Sequence, residues 1–495
     1  MSANVENKTG VDVRRWLKKQ GYSTLPSDWY DKIEEWRSWY KGKVDSFHSY
    51  KQFNGSVFVQ RTRKTLGMAK KVSEDKADLL LNDRCEINVS PQNAQKYLDD
   101  VLDDTLFWPR GNQLVELASA LGSGAFVEYL SRGKIEIDCV PADCCFPLAW
   151  NNGEVTESAF ASEVNTVTGR VTYVNIHRLA PTGNYYVENH MLDCEGKEIE
   201  LPAGLLPEFD TKSDTPLFQY IKPAGVNNYD STIPMGVSVF ANAIDILKGV
   251  DLVYDSYCNE FQLGKKRIFV RDSATRVKAG PDGVTFVPVF DPNDTEFYAF
   301  DMKETDDPIH EIDMNLRAEP HEIALQRNLD LLSEKCGFGK GYYQATADSV
   351  QTATGVISQN SQLFRRIRKD EIILEHALKG LVSAVFVLGG QTPPQEINIS
   401  FDDSIVEDTD AESKRALLEV QAGVISHKRY LMNVYDLTEK QADALVKEAA
   451  DEAGTSTEPD PGNLFPEQPG DGEGDGEGAE GPQDGAGGDG SGSEG

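Results

Sequence analysis

Several groups of residues in this chain are of types that could do chemistry. Gly337-Phe338-Gly339-Lys340-Gly341 has the glycines and the lysine with which a loop cradles phosphates. A P-loop, however, needs G-x-x-x-x-G-K-[ST] between a strand and a helix. Here glycine follows the lysine and a helical pattern precedes it, so nucleotide binding is not expected. Cys139, Cys144 and Cys145 crowd together, but C-x4-C-C lacks the paired spacing of a zinc site and no histidine follows closely. The seven histidines (His48, His177, His190, His310, His321, His376, His427) do not pair at ligand spacing, and H-E-x-x-H and G-x-S-x-G are absent. Asp99-Asp100, Asp103-Asp104, Asp306-Asp307 and Asp402-Asp403 could hold Mg2+ as in a nuclease. Most acidic doublets in so charged a chain are solvated surface. No cofactor, metal or catalytic residue is expected, and the pattern alone reads as a non-enzymatic, helix-rich assembly protein.

Two further groups concern surfaces. Arg61, Arg63, Lys64, Lys70 and Lys71 cluster within a dozen positions, as a solvated face or a contact with an acidic neighbour. Over 28–55, Trp29, Trp36, Trp39, Tyr40, Phe47, Tyr50 and Phe53 recur at helical steps until Asn54-Gly55 breaks the run. Such a stripe is core or subunit contact. A nucleic-acid stacking platform would want more basic residues than Lys41 and Lys43.

The chain that carries these groups has 495 residues, with 49 Lys and Arg against 81 Asp and Glu, a net charge of −32. Its 39% of hydrophobic residues suffices for a core. The length suggests two to four domains. The acidity argues against gripping nucleic acid over a broad surface, since the phosphate backbone wants Lys and Arg. It is compatible with letting DNA slide past. No apolar run reaches transmembrane length, and the first residues have no signal-peptide core. The seven cysteines, odd in number and irregularly spaced, read as reduced thiols of a cytosolic product.

The elements that must position these residues follow from periodicity. A helix is expected from Ser73 through Leu81, then a strand. Residues 114–130 are apolar at helical spacing, with Gly122 and Gly124 suggesting close packing. Alternation over about 131–221 predicts antiparallel sheet. Ile233–Leu263 carries a helical stripe worth about 45 Å of helix. A β-rich module is expected over 267–316 and a second helix over Pro320–Gly337, so that two helices bear a tip between them. A loop (337–355), a long helix (356–388), a strand (396–401) and about three small helices follow, with Thr438-Glu439 a cap before the last. From Thr455 onward 11 acidic and no basic residues lie among Gly and Pro; the rest of the chain keeps −21. That composition predicts a solvated, disordered tail.

Trp36, Trp39-Tyr40, Gly42, Val44, Phe47-His48, Tyr50 and Phe53-Asn54-Gly55 make a first run of family-like residues. A second comprises Arg63-Lys64, Leu66-Gly67-Met68-Ala69-Lys70-Lys71-Val72, Glu74, Ala77 and Leu79-Leu80-Leu81-Asn82. Together they resemble the N-terminal signature of phage portal proteins, closest to those of long-tailed double-stranded DNA phages of Gram-positive hosts. Val140-Pro141-Ala142-Asp143, Phe146-Pro147-Leu148 and Gln421-Ala422-Gly423 with Ile425-Ser426 and Lys428 are similar to the family in matching order. The resemblance covers roughly 28–450.

The resemblance implies an α+β, helix-rich portal fold. By order, 1–55 would be an aromatic-rich helical N-terminal segment, 56–232 a wing with antiparallel sheet and 233–266 a stem helix. The clip would be 267–318, the returning stem helix 319–337, the tunnel loop 338–355, and the long wing helix with its strand 356–401. A helical crown (402–454) and the acidic tail (455–495) complete the chain. The family implies a homo-oligomeric ring, twelve-fold in the virion, at one capsid vertex. It would conduct double-stranded DNA during packaging and ejection and dock the terminase large subunit, then the head–tail adaptor. Major capsid and scaffolding proteins would be further partners, in the virion and, during assembly, in the host cytoplasm. Lys340, Tyr342, Tyr343, Gln344 and Gln351 would line the tunnel. Arg271, Lys278, Asp282 and Asp291 would dock terminase or adaptor on the clip. Trp36, Trp39, Arg365 and Arg366 would contact neighbouring subunits. A negative tunnel wall would form no long-lived phosphate contacts, with Lys340 touching phosphate transiently or merely solvated. Two other classes stay open at this point: a low-order adaptor or scaffold without a channel, and a metal-dependent packaging nuclease.

Overall fold

The computed structural model describes residues 12–53, 57–131, 133–166, 169–202, 204–263, 315–343 and 353–401, the strands within 267–312, and parts of 417–447. The chain divides into two units, 1–406 and 407–495. The first opens with helices α1 (Val13–Lys19), α2 (Ser27–Tyr40) and α3 (Asp45–His48). The pair β1 (Ser49–Phe53) and β2 (Phe58–Thr62), helix α4 (Met68–Leu80), β3 (Glu86–Val89), α5 (Gln92–Asp104) and α6 (Phe107–Leu121) come next. Strands β4 (Gly124–Ser131) and β5 (Lys134–Pro141) pair antiparallel, and β12 (Phe218–Ile221) joins the other edge of β4. A larger antiparallel sheet is built from β6 (Cys145–Asn151), β7 (Glu154–Thr166), β8 (Gly169–Leu179), β9 (Tyr185–Leu192) and β10 (Glu198–Ile199), with β11 (Glu208–Asp210) also on β9. The antiparallel sheet expected over 131–221 is therefore present.

Helix α7 (Ile244–Leu263) leads into β13 (Arg267–Arg271), β14 (Lys278–Ala279), β15 (Phe286–Val287), β16 (Phe297–Phe300) and β17 (Ile309–Ile312). In this module β13 lies between β16 and β17, and β14 pairs with β15. Helix α8 (Ala318–Cys336) returns, the 36-residue α9 (Ala353–Leu388) follows, and β18 (Ile397–Ser400) closes on β3. In the second unit helix His427–Val434 starts at Ser426, whose hydroxyl accepts the Arg429 N–H. Thr438-Glu439 and the tail 455–495 lie outside the described residues.

Three helices stop the same way. At Gly42 (φ +66°), Gly337 (φ +90°) and Gly390 (φ +66°) the backbone turns left-handed. The glycine N–H then bonds back to Trp39, Glu334 and Val387, and the next N–H to Ser38, Ser333 and Phe386. This paired closure satisfies orphan helix carbonyls and needs a residue without Cβ strain. It explains why the aromatic run over 28–55 is not one helix: α2 ends before Gly42 and the chain passes through α3 into β1.

Other expected boundaries shift for local reasons. Helix α4 starts at Met68, after Gly67 (φ +73°), and Ser73 donates to the Ala69 carbonyl inside it. The helix expected over 114–130 ends at Gly122 (φ +86°), and 124–131 is strand. A Cβ on Gly122 would lie 2.5 Å from the Gly236 carbonyl oxygen, and one on Gly236 would lie 2.6 Å from that of Gly122. The two backbones touch, so residues 233–240 are held as a loop, with Val239 N–H bonded to Ser119 and Gly236 N–H to the Ser123 hydroxyl. Helix α7 accordingly starts at Ile244, not Ile233, and is about 30 Å long.

The tryptophans of the aromatic stripe are core, whereas Phe53 at its end is 55% exposed. Trp36 and Trp39 are 1% and 3% exposed, Trp29 and Trp36 meet edge to face, and Tyr30 stacks on Phe146. Arg37 pairs at 2.5 Å with Asp143, in the Val140-Pro141-Ala142-Asp143 segment. Trp36 and Trp39 thus present no surface to a neighbouring subunit, correcting the expectation that they make subunit contacts. Trp36→Ala should lower the stability of the unassembled chain by about 3–5 kcal/mol, read by urea unfolding; unchanged unfolding with lost self-association would return it to the subunit interface.

Candidate functional site

The site is built around the α7–α8 pair and the junction from α8 to α9. Helix α7 is rooted by two carboxylates one turn apart on its inner face. Asp251 accepts the Leu66 N–H at 2.8 Å and faces His48 Nε2 at 3.0 Å. Because His48 Nδ1 accepts the Val44 N–H, its Nε2 carries the proton and donates to Asp251. Asp255 accepts the Lys64 N–H. The start of the second signature run, 64–66, is therefore a backbone strap that these carboxylates hold at the root of α7. Farther along, Gly249 meets Asn328, Ser256 meets His321 at 3.0 Å, and Glu260 takes both arms of Arg317. Residue numbers rise on one helix as they fall on the other, so α7 and α8 run antiparallel. The Arg317 hydrogen bonds hold the half-buried Glu260 carboxyl down at about 2.

After α8 the glycines of the 337–341 segment serve the backbone. Gly337, Gly339 and Gly341 all have positive φ (+90°, +87°, +86°), and Ser333 donates to the Gly339 carbonyl. Phe338 is buried and packs on Tyr342 and Tyr343, with ring centroids 4.8 and 5.8 Å away. The Tyr343 hydroxyl donates to Asp75 on α4 at 2.9 Å, and burial pushes its pKa up. Of the five residues expected on a tunnel wall, Lys340 and Tyr342 are exposed. Tyr343 is half-buried, with its hydroxyl turned to α4. Gln344 and Gln351 lie outside the described residues.

Helix α9 is pinned from inside at its middle. Lys76 of α4 reaches Asp370 of α9 at 2.5 Å, with side chains 2% and 3% exposed. Asp370 also accepts the Ala224 N–H at 2.6 Å, and Arg366 stands 3.9 Å away. Burial lowers the Lys76 pKa against the opposing pull of the Asp370 carboxylate. Removing one partner of such a pair leaves a buried charge uncompensated.

On the outer side of this junction is an open groove of about 810 Å³. Arg365, Arg366, Arg368, Lys369 and Lys335 line it, with Glu334 as the opposing charge. Arg365 is exposed and Arg366 half-buried, so the structure brings these two expected subunit-contact residues to one surface. Arg271 and Lys278 fall on β13 and β14, while Asp282 and Asp291 lie outside the described residues.

The other chemical candidates dissolve into structure. The seven cysteines are free thiols, and burial pushes the Cys139 thiol up to about 12. Among the described residues no group of three His, Cys, Asp or Glu is placed to hold a metal. Asp99, Asp100, Asp103 and Asp104 sit on exposed turns of α5, where Asp104 pairs with Lys134. Asp306-Asp307 and Asp402-Asp403 lie outside the described residues. No described helix is long and apolar enough to cross a membrane.

Two buried groups escaped the sequence reading. Glu128 on β4 and His177 on β8 border one cavity of about 190 Å³, and neither side chain has a hydrogen-bond partner among the described residues. Burial raises the Glu128 carboxyl to about 8 and lowers His177 to about 3. The signal available was a lone acid inside the apolar run Ala125-Phe126-Val127-Glu128-Tyr129-Leu130.

Lys76→Met should cost about 3–5 kcal/mol in urea unfolding, and adding Asp370→Asn should recover most of it, since Asn keeps an acceptor for Ala224 without the charge. For Glu128, the unfolded carboxyl ionises above about 4.5 while the folded one stays protonated to about 8. The folded state thus loses about 1.4 kcal/mol per pH unit across that window. Glu128→Gln should match the wild type near pH 5 and exceed it at pH 8, by unfolding at both pH values.

Residues 27–455 match the family described as phage portal protein, SPP1 Gp6-like. No curated protein matches the chain. Among solved structures, the neck of a native gene transfer agent particle is similar at 12% identity and TM-score 0.37, covering 74% of this chain and 88% of that one. The virion of the native particle (12%, TM-score 0.40) and the neck of the empty particle (13%, TM-score 0.40) each match over 85% of this chain and 98% of theirs. The family match spans both signature runs, the α7–α8 pair, the basic groove and helix His427–Val434, and the chain belongs to the SPP1 Gp6-like family of phage portal proteins.

Proposed function

We propose that copies of this chain close into a ring, with twelve subunits, at one vertex of the capsid. Double-stranded DNA passes through its centre during packaging and ejection. The observation that carries this reading is the family match across 27–455 together with the antiparallel pair α7–α8, rooted by Asp251 and Asp255 and bearing a β-module between its helices. In this reading α7 and α8 form the stem, 267–318 the clip that docks the terminase large subunit and then the head–tail adaptor, and 338–355 the loop toward the channel. Arg271, Lys278, Asp282 and Asp291 belong to the docking surface, and residues 402–454 form the crown. Major capsid and scaffolding proteins surround the ring.

The chemistry supports passage more than grip. An acidic wall repels phosphate and leaves no long-lived contacts to break during movement. Lys340 and Tyr342, both exposed on the Gly-rich turn, meet DNA in transit, and Gln344 and Gln351 line the same wall. The chain contributes no catalysis of its own; the work of translocation belongs to the docked motor. Light scattering on the purified chain, with negative-stain imaging of the same sample, should give closed rings with a central hole near 656 kDa, twelve times 54.7 kDa. A monomer or dimer at both low and high salt would favour the adaptor reading. Mg2+-dependent cleavage of DNA by the pure protein would favour the nuclease.

A further inference from the structure

A ring needs a head-to-tail contact, in which two different surfaces of the same chain meet across each boundary. Copies of this chain should resist that meeting, because each carries −32 overall and −21 without the segment from Thr455 onward. The groove at the α8–α9 junction reverses the sign locally. Lys335, Arg365 and Lys369 are exposed there, and within the described residues none of the three is paired. The carboxylates nearest to them in sequence on α9 are already committed: Asp370 to Lys76 and the Ala224 N–H, and Glu371 to Arg368 at 3.0 Å. The groove is also not purely ionic. Val226 on its rim is 81% exposed, and Phe364 offers its ring to Arg368 at 5.2 Å. Cations beside exposed apolar surface fit a protein segment with Asp or Glu on aliphatic stems better than a bare phosphate backbone.

We propose that this groove is the receiving half of the contact between neighbouring copies of the chain, and that it takes an acidic segment of the adjacent subunit. The inference rests on the ring reading and adds to it which surface accepts the neighbour and by what chemistry. It makes assembly salt-sensitive, since the attraction acts at a solvent-accessible groove.

The test uses the full chain. Rings assembled from a mixture of 14N- and 15N-labelled subunits are treated with a carbodiimide, which joins a lysine amine to a carboxylate only in direct contact. Mass spectrometry should find Lys335 or Lys369 joined to Asp or Glu of the other isotope. In parallel, Arg365→Glu with Lys369→Glu should reduce the ring fraction at least about tenfold, while Arg365→Lys with Lys369→Arg retains it. Both pairs of substitutions are on exposed positions, and unchanged thermal unfolding of the unassembled chain confirms an intact fold. A charge-reversed chain that still closes rings of wild-type mass overturns the proposal and leaves the ring reading standing. So do cross-links from Lys335 and Lys369 confined to one isotope. Intact charge-reversed rings that retain less duplex DNA would assign the groove to nucleic acid instead. A wild-type chain that forms no ring contradicts both readings.

Discussion

The Lys76–Asp370 pair is the contact on which the arrangement of the functional elements depends. It joins α4, which carries part of the N-terminal signature, to the middle of the 36-residue α9. Through its second oxygen Asp370 also fixes the backbone at Ala224, ahead of the loop that leads into α7. One buried carboxylate thus sets the relation among three segments that lie far apart in sequence. A hydrophobic contact of the same size would bury the same area but would not specify direction. An ion pair in a dry site tolerates little displacement, because either charge left alone is costly.

The same logic recurs outward from this point. Asp75, beside Lys76 on α4, takes the Tyr343 hydroxyl and so ties the turn after α8 to the same helix. Asp251 and Asp255 hold the strap at 64–66 against α7. Buried acids act here as fixed acceptors for backbone and hydroxyl donors, while exposed acids give the molecule its net charge. The two populations serve different ends. The inner one positions α7, α8 and α9, and the outer one governs what the surface attracts or repels. The basic groove stands out because it departs from the outer pattern at the junction that the inner pattern holds most firmly.

How much of this could be read in the sequence depended on whether a signal was local. The alternation in Arg170-Val171-Thr172-Tyr173-Val174 and in Tyr185-Tyr186-Val187 named strands that the structure contains, and Pro320 to Gly337 lies within one residue of helix α8 at the C-terminal end. The aromatic spacing runs on across Gly42 to Asn54-Gly55, so the helix stop at Gly42 is not marked in the sequence. The start of α7 departs from the apolar stripe beginning at Ile233 because the contact that holds 233–240 open, Gly236 on Gly122, joins positions over a hundred residues apart. Lys76 was illegible for a related reason. In Ser73-Glu74-Asp75-Lys76-Ala77-Asp78 it reads as one more solvated charge, and only the fold brings Asp370 to it. Arg365 and Arg366 were found by their order along the resemblance, whereas the groove they share with Lys335 required α8 and α9 to be seen side by side.

The central claim is that the α8–α9 junction faces the channel of a ring, with α7 and α8 as its stem. Electron cryomicroscopy of the purified assembly tests it directly, by tracing where Lys340 and Tyr342 lie relative to the central axis. The account predicts both side chains on the inner wall, with the α7–α8 pair of each subunit alongside its neighbour's around the axis. A closed assembly in which this turn points to the outer surface would contradict it.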